Sequence, residues 1–479
     1  MKNYSETAYK DKLESIFKRF PSVQKVPFGD AYKPGLDNMI RFAHLLGDPQ
    51  EKYRTIHVAG TNGKGSVANM LASALSSIGL KVGLYTSPHI IDFRERARVL
   101  GPTTRQSPSS IHPDRARSAA RRELCPLSYH GEELPLTPIL VPEEYVYDFL
   151  CRYETDMDSL DLSFFEITTG LAFKWFADEE VDVAVIETGL GGRLDSTNII
   201  TPDLSIVTSI ALDHCALLGN TLEAIAFEKA GIIKPGVPAV VGEYLTETRP
   251  VFERAATKNG SPLTFAQDTE PSMSDLIPGI LTEMDLRGKY QEKNLRTVLA
   301  AIDVLSRNQF YSRLLEKKTV ADAICHTASR AGFHGRWEMV RKNPLVIADL
   351  GHNPAALKEN FSQLEDMMSS GDYSSLIIIY AVMADKDLDG IMPLMPDNAT
   401  YVLTTLQSSR ALPEKDLASR LEAFMEDAGR SVKIVETASV EDAVSVALSL
   451  DNKRNPLIFI GGSTYLLSEA LSVLGARGF

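Results

Sequence analysis

A glycine-rich segment of this 479-residue sequence has the composition of a loop that binds a polyphosphate. Small residues let backbone N–H groups approach phosphate oxygens closely, and the N-terminus of a following helix adds a favourable dipole. We expect Lys64 to reach the outer phosphates and Ser66 to donate a hydroxyl. The match to the common P-loop is imperfect, because a glycine rather than Ser or Thr follows Lys64 directly. The residues of this predicted phosphate loop are Gly60, Thr61, Asn62, Gly63, Lys64, Gly65 and Ser66.

Three further oxygen or nitrogen donors lie where predicted strands of the first half of the chain end. They are Ser87, Glu187 and His214. Ligands of an open parallel sheet bind at the carboxyl ends of its strands, so we expect these side chains to converge with the phosphate loop. A carboxylate such as Glu187 suits a magnesium ion beside a nucleoside triphosphate. For His214 a metal ligand and a hydrogen-bonded structural histidine are evenly balanced, and Ser87 alone is more often a cap or turn residue.

A second glycine-rich segment, residues 189–193, could be mistaken for a dinucleotide-binding fingerprint. It has the sequence Gly-Leu-Gly-Gly-Arg, and Leu194 occupies the place of the third glycine of that fingerprint. The missing glycine weakens a dinucleotide hypothesis. A glycine-lined turn beneath a substrate is the better interpretation.

The elements that must position these residues alternate between strand and helix, which favours a parallel sheet covered on both faces. We predict a strand at 55–59, then the phosphate loop, and then a helix whose apolar residues from Val67 to Ile78 share one face. Gly79 ends that helix. Short apolar runs predict further strands at 81–85, 181–186 and 204–210.

A second alternating block begins near residue 335 and predicts a separate, smaller doubly wound domain. We place the boundary near residue 333, which gives domains 1–333 and 334–479. The predicted strands are 345–348, 376–380, 401–404, 432–435 and 457–460, with helices including 355–367 and 440–448.

Residues 101–142 differ in composition from the rest of the chain. They contain seven prolines, and five arginines with one aspartate lie between Arg105 and Arg122. A regulatory lid or a site for an anionic partner is one interpretation, but a surface insertion is the more common role of a long proline-rich segment. We assign this insertion no catalytic role.

The overall composition excludes several classes of protein. With 44% hydrophobic and 24% charged residues the chain is neither disordered nor fibrous. No apolar run is long enough for a membrane span, and the first twenty residues lack a signal-peptide core. A net charge of −13 disfavours general nucleic-acid binding, and four widely spaced cysteines indicate reduced thiols. We therefore expect a cytoplasmic two-domain protein without nucleic-acid or membrane partners.

Taken together, the ordered motifs resemble the folylpolyglutamate synthase and dihydrofolate synthase family of the Mur ligase superfamily, nearly from end to end. The resemblance implies a P-loop-containing, Mur-ligase-type ATP domain with a parallel sheet and a smaller Rossmann-like C-terminal glutamate-ligase domain. It also implies an ATP-dependent amide ligase that adds L-glutamate to a folate or dihydropteroate carboxylate through an acyl phosphate. The motifs are residues 60–66, 86–89, 187–195, 212–214, 228–232, Gln291 with Asn294, 335–338, 349–354, 385–387 and 461–463.

The resemblance also implies roles for individual residues. Ser87, Glu187 and His214 match magnesium ligands, and Lys229 matches a lysine that carbon dioxide carbamylates. As catalytic residues it implies Lys64, Lys229 and His214. The residues that match ATP-binding positions or lie beside them are Asn294, Arg336, Asp349 and His352, and those near the pterin or its linker are Phe165 and Asp195.

Several alternatives stay open at this point. Without the resemblance, Lys229 is a surface lysine of a helix and Phe165 belongs to the core. The segment 385–387 is either a solvated loop or part of the glutamate site. The insertion is longer than the family pattern, and a lid, an altered folate entrance or a neutral insertion would each account for it. A Mur-type ligase for another carboxylate and a non-ligating nucleotide-switch ATPase are the competing functions, and the family suggests a monomer.

Overall fold

The computed structural model describes residues 4–20, 35–102, 138–408, 410–450 and 455–476. Most of the predicted insertion, residues 103–137, lies outside the described residues. No helix in these ranges is long and apolar enough to cross a membrane.

The first part of the chain forms an eight-stranded sheet with the order β4-β3-β2-β5-β1-β6-β7-β8. Neighbouring strands from β2 to β8 in this order are parallel, whereas β3 and β4 pair antiparallel at one edge. The strands are β1 (Arg54–Ala59), β2 (Val82–Tyr85), β3 (Ala97–Leu100), β4 (Ile139–Leu140), β5 (Val183–Glu187), β6 (Leu204–Val207), β7 (Ala239–Val241) and β8 (Leu263–Phe265).

Helices cover both faces of this sheet, because its central strands are apolar on both sides. In β5, Val183 and Val185 face a core shared with the helices Lys64–Ser77 and Gln291–Leu305, and Ala184 and Ile186 face a core shared with the helix Phe164–Asp178. The helices are α1 (Glu6–Arg19), α2 (Asp37–Leu45), α3 (Lys64–Ser77), α4 (Glu143–Arg152), α5 (Glu154–Ser159), α6 (Phe164–Asp178), α7 (Cys215–Leu218), α8 (Leu222–Ala230), α9 (Arg249–Asn259), α10 (Ile277–Glu283), α11 (Gln291–Leu305), α12 (Lys317–Cys325) and α13 (Thr327–Ala331).

The remaining part forms a six-stranded sheet with the order β13-β12-β11-β14-β10-β9, in which only β9 is antiparallel to its neighbour. Its strands are β9 (Glu338–Lys342), β10 (Leu345–Ala348), β11 (Leu376–Tyr380), β12 (Ala399–Thr404), β13 (Lys433–Thr437) and β14 (Leu457–Gly461). Its helices are α14 (Pro354–Ser369), α15 (Leu388–Ile391), α16 (Glu414–Asp427), α17 (Val440–Ser449) and α18 (Thr464–Ala476).

The predicted α/β fold with a large, mostly parallel sheet and a smaller second sheet is confirmed. The predicted strand 204–210 is shorter than expected, because β6 ends at Val207 and the chain turns toward the cavity described below. The sequence analysis missed the antiparallel strands β3, β4 and β9 and the three-residue strands β7 and β8. The domain boundary near residue 333 stays a prediction.

The two sheets meet through polar contacts at the edge that holds the phosphate loop. The side-chain amides of Asn62 and Asn353 exchange two hydrogen bonds, of 3.0 and 3.2 Å. Tyr290, just before α11, donates its hydroxyl to the carboxylate of Asp349 over 2.6 Å. These contacts bring residues of the second sheet onto the carboxyl edge of the first.

Candidate active site

The predicted phosphate loop connects β1 to α3, and its backbone requires glycine at two positions. Gly60 and Gly63 have φ angles of 152° and 85°, which other residues rarely adopt. A Cβ at Gly60 would lie 1.9 Å from the hydroxyl of Thr208, and one at Gly63 would lie 2.2 Å from Oδ1 of Asn294. Asn294 therefore lies against the loop, and its predicted contact with ATP stays a prediction.

Lys64 is the first residue of α3, and its amine lies over the loop that precedes it. The Nζ atom donates to the carbonyl oxygens of Gly60 and Thr61 over 3.1 and 3.2 Å. Ser66 is buried, and its hydroxyl accepts a hydrogen bond of 3.2 Å from Gln291 at the start of α11. The loop thus has a cation above it and a helix N-terminus below it, the arrangement that suits bound phosphates.

The carboxylate of Glu187 lies at the end of β5 and is 3% exposed. Its Oε2 accepts a hydrogen bond of 3.1 Å from the backbone N–H of Ser87. Burial raises the pKa of Glu187, although the nearby positive charges of Lys64 and Arg336 act in the opposite direction. The structure therefore brings two of the three predicted magnesium ligands into direct contact.

The third predicted ligand, His214, lies at the start of α7 with a positive φ of 52°. Burial lowers the pKa of His214 to about 4, so its imidazole is neutral near pH 7, and neutral imidazole is the form of histidine that binds metal ions. Across the described ranges, no three His, Cys, Asp or Glu side chains are grouped so as to hold a metal ion. A cation here would need the Ser87 hydroxyl, water or nucleotide oxygens to complete its shell.

A cavity with a volume of about 260 Å³ lies at this edge of the first sheet, and residues of the second sheet complete its wall. A smaller cavity adjoins it through Ser87 and is lined by Gly65, Glu187 and Arg336. The larger cavity brings together many of the predicted site residues: Gly60, Thr61, Lys64, Ser87, Phe165, Asp195, His214, Lys229 and His352.

Arg336 reaches the phosphate loop from the second part of the chain. A Cβ placed on Gly65 would lie 3.5 Å from Nη2 of Arg336, so the guanidinium lies beside the first turn of α3. Its carbon Cζ also lies 5.1 Å from the centre of the Phe333 ring. A delocalised cation at this place is suited to phosphate oxygens.

Asp349 lies close to this region, but protein donors occupy both of its oxygens. Oδ2 accepts from the Tyr290 hydroxyl (2.6 Å) and the Trp337 backbone N–H (2.8 Å). Oδ1 accepts from the Gly351 backbone N–H (2.7 Å) and the Asn360 side chain (2.8 Å). The buried carboxylate thus organises the loop after β10, and its predicted contact with ATP stays a prediction.

Asp213, which belongs to the motif 212–214 but was not among the predicted site residues, is the centre of a polar cluster between the two sheets. It accepts from Nδ2 of Asn353 (3.2 Å) and Nζ of Lys386 (3.3 Å), and Nε2 of His352 lies 3.7 Å away. Burial opposes ionisation, but the nearby His352 ring and the charges of His214 and Lys386 hold the pKa of Asp213 well below its ordinary value. His352 is thereby placed at the cavity.

Lys229 is buried in α8, and it is 4% exposed. Its Nζ donates to the carbonyl oxygen of Gly60 over 2.8 Å, directly beneath the phosphate loop. Burial, with help from the charge of Lys64, lowers the pKa of Lys229 to about 7. The expectation of a surface lysine, which applied without the family resemblance, is therefore wrong.

Phe165 and Asp195 also line the cavity. The Phe165 ring packs on the backbone of Gly189, where a Cβ would lie 2.5 Å from it. Asp195 accepts hydrogen bonds from the backbone N–H groups of Gly189 and Leu190, over 2.9 and 2.8 Å. Residues 189–193 thus form the glycine-lined turn that the sequence analysis preferred to a dinucleotide site.

Comparison with known proteins agrees with this geometry. The family model "Mur ligase, glutamate ligase domain" matches residues 335–464. Dihydrofolate synthase/folylpolyglutamate synthase of Bacillus subtilis is 32% identical over 97% of this chain and 98% of its own length. This chain belongs to the folylpolyglutamate synthase/dihydrofolate synthase family.

Solved structures of the family have the same architecture. Mycobacterium tuberculosis folylpolyglutamate synthase, complexed with ADP and AMPPCP, superposes with a TM-score of 0.77 at 25% identity, covering 98% of this chain and 99% of that one. E. coli FolC in complex with DHPP and ADP gives a TM-score of 0.74 at 25% identity, with 98% of both chains covered.

Three cations of the cavity in this family member were missing from the predicted site residues: Arg96, Lys386 and Arg410. Arg96 is 4% exposed, donates from Nε to Nδ1 of His89 over 2.8 Å, and has its Cζ 5.2 Å from the Phe164 ring centre. Its signal in the sequence was the alternation of arginines at 94, 96 and 98. Lys386 belongs to the segment 385–387, for which a place in the glutamate site was left open.

Proposed function

We propose that this protein joins L-glutamate to the carboxylate of a folate or dihydropteroate in an ATP-dependent reaction. The acceptor carboxylate attacks the γ-phosphorus of ATP, and ADP leaves as the acyl phosphate forms. The amine of glutamate then attacks the acyl carbon, and the tetrahedral intermediate expels phosphate to leave an amide. The observation that carries this proposal is one cavity lined by the phosphate loop, an aromatic wall and cations of the second sheet.

The triphosphate end of ATP would lie on residues 60–66. The transfer of a phosphoryl group depends on positioning and on neutralisation of negative charge more than on a protein nucleophile. Lys64, the loop N–H groups and Arg336 supply that charge, and Asn294 supports the loop from α11. His352 faces the same cavity from the second sheet.

A divalent cation fits beside these phosphates. Glu187 provides a buried carboxylate, Ser87 a hydroxyl and His214 a neutral imidazole, a set that leaves room for water and phosphate oxygens. When bound, magnesium would neutralise charge on the phosphates. A solved family structure from Yersinia pestis contains AMPPNP and a Mn ion.

The acceptor would lie along the wall formed by Phe164 and Phe165, with Asp195 at the turn below it. Flat aromatic groups pack on such side chains, and a polar group at the end of an apolar wall fixes orientation. The buried guanidinium of Arg96, which faces the cavity, suits a carboxylate of the acceptor. The incoming glutamate would then approach from the side of Lys386 and Arg410, where two cations can hold its carboxylates.

Lys229 beneath the loop is placed to react with carbon dioxide. Only the neutral amine forms a carbamate, and a pKa of about 7 keeps much of this amine neutral at physiological pH. The product would be an anion below the phosphate loop, within reach of a cation held there.

Mass detection of the products, combined with phosphate release, tests the proposed function. ATP, magnesium and L-glutamate would be supplied with dihydropteroate or tetrahydrofolate in separate reactions. Glutamate added to both acceptors would establish a bifunctional enzyme, and addition to tetrahydrofolate alone a polyglutamate synthase. ATP binding without either product would overturn the proposal in favour of another Mur-type acceptor or a nucleotide switch.

Three finer predictions accompany this function. The protein works as a monomer, lies in the cytoplasm and does not bind nucleic acid, as its acidic charge indicates. We also divide it into an ATP-binding domain, 1–333, and a glutamate-ligase domain, 334–479.

A further inference from the structure

A line of buried hydrogen bonds runs from the centre of the first sheet to the wall of the cavity. It begins at His57 in β1, which is fully buried, and its Nε2 lies 2.8 Å from the hydroxyl of Thr197. The same hydroxyl lies 2.5 Å from Oδ1 of Asp195, and the backbone N–H of Thr197 donates to that oxygen over 3.0 Å. Oδ2 of Asp195 accepts from the turn at 189–190.

Chemistry fixes the direction of each bond in this line. Three backbone N–H groups donate to Asp195, so its carboxylate is an acceptor, and the short contact with Thr197 is that of a hydroxyl donating to an anion. A hydroxyl has one proton, so Thr197 must accept from His57, and Nε2 of His57 therefore carries hydrogen.

The other ring nitrogen of His57 supports this assignment. Nδ1 is buried and has no hydrogen-bond partner among the described residues. A protonated Nδ1 in that position would leave a buried N–H unsatisfied, which costs more than an unsatisfied lone pair. Burial lowers the pKa of His57 to about 3, so the ring is neutral under all physiological conditions.

We propose that His57 is a positioning residue of the acceptor site. By donating to Thr197 it fixes the hydroxyl that orients Asp195, and Asp195 in turn holds the turn at 189–190 on which Phe165 packs. His57 touches no part of the cavity itself, and acts only through these neighbours. The inference rests on the proposed function of Asp195 and Phe165 in binding the acceptor.

Separate contacts hold the remainder of this loop, which makes the effect of His57 specific. Lys234 donates to the carbonyl oxygen of Asn198, and the Asn198 side chain donates to the carbonyl oxygens of Arg193 and Gly231. Removal of the His57 bond should therefore loosen the orientation of Asp195 without releasing the whole loop.

Two pairs of variants test the line of bonds. His57→Leu and Thr197→Val remove it, whereas His57→Gln and Thr197→Ser keep a donor or hydroxyl at the same place. Ser205→Ala is the matched control, because Ser205 pairs with His57 in the sheet and its buried hydroxyl bonds to Ile232, away from the cavity. We expect the two disruptive variants to raise the KM for tetrahydrofolate about ten-fold or more and leave the KM for ATP unchanged.

The conservative variants and Ser205→Ala should have a KM for tetrahydrofolate within about three-fold of the wild-type value. The double variant His57→Leu/Thr197→Val should have a KM for tetrahydrofolate no higher than that of Thr197→Val alone, because both changes break the same line of bonds. The proposal would be overturned if the KM values for tetrahydrofolate and for ATP rose equally. It would also be overturned if the disruptive variants lowered thermal stability and left both KM values unchanged. Additive effects of the two substitutions on the KM for tetrahydrofolate in the double variant would overturn it as well.

The positioning role of His57 can be tested even if the proposed ligase function is wrong. If the wild-type protein glutamylates neither acceptor, the proposed function fails, but nitrogen NMR of ¹⁵N-histidine-labelled protein still tests the line of bonds. The sequence has nine histidines, and comparison with His57→Gln would assign the signal of His57. A neutral ring with hydrogen on Nε2, whose signal shifts in Thr197→Val, supports the proposal, and hydrogen on Nδ1 would overturn it.

Discussion

Burial of the Lys229 amine predicts that this protein depends on carbon dioxide. An ordinary lysine with a pKa of 10.5 is neutral in about 0.1% of molecules at pH 7.5. With the pKa lowered to about 7, roughly three-quarters of the Lys229 amines are neutral at that pH, a gain of several hundred-fold. Because the pKa is lowered, the neutral fraction increases with pH and falls as the pH drops below about 7. Carbamate formation, and the activity that requires it, should therefore increase between pH 6 and 8.

The assay is ¹³C NMR of the protein in ¹³C-bicarbonate, with glutamate ligation measured in parallel. We expect one carbamate signal in the wild type and none in Lys229→Ala, whose activity small carboxylic acids should restore in part. Lys234→Met is the control for the carbamate signal alone, because Lys234 is partly buried and donates to Asn198 away from the phosphate loop. Removal of carbon dioxide without loss of activity, together with no carbamate signal, would refute the reasoning.

Four further changes have definite expected outcomes. Lys64→Ala should abolish ligation with the fold intact by circular dichroism, and near-normal turnover would remove the phosphate-loop assignment. Glu187→Gln should shift the magnesium titration of activity to higher concentration, and an unchanged titration would show that the carboxylate binds no cation. Asp213→Asn should lower kcat at saturating ATP by about ten-fold or more, since a buried charged bond to Lys386 is lost, and an unchanged kcat would contradict that role. Deletion of residues 103–138 should leave ATP turnover measurable, whereas an unfolded product would show that the segment is structural.

The parts of the fold that could be predicted are those in which local pattern and burial agree. The strands 345–348 and 376–380 were predicted with their exact bounds, because strands buried on both faces are continuous apolar runs. The strand β3 could not be found in this way, since its sequence Ala-Arg-Val-Leu contains a charged residue. The arginine of this strand, Arg98, is buried because it donates to the carbonyl oxygens of Ala331 and Gly332, more than two hundred residues away.

The site shows the same division between local and distant information. The phosphate loop is contiguous, so its glycines and Lys64 could be found from spacing alone. Lys229 is buried beneath Gly60 because α8 packs under a loop that lies 169 residues earlier in the chain. No local sequence pattern indicates that burial. The partners of Asp213 likewise come from a different sheet, so only the folded chain shows that Lys386 and His352 meet there.

The residues that line the cavity come from both sheets, and their origin bears on the order in which the substrates bind. Residues 60–66, Glu187 and Phe165 all come from the part of the chain that forms the first sheet, and we assign to them most of the contacts with ATP and the acceptor. Lys386 and Arg410, which we assign to glutamate, come from the second sheet, and Asp213 holds Lys386 at the cavity. Water can hydrolyse the proposed acyl phosphate, so we expect glutamate to be bound when it forms. We therefore expect the contacts of Asp213 with the second sheet to help position the amine of glutamate as well as to hold the interface.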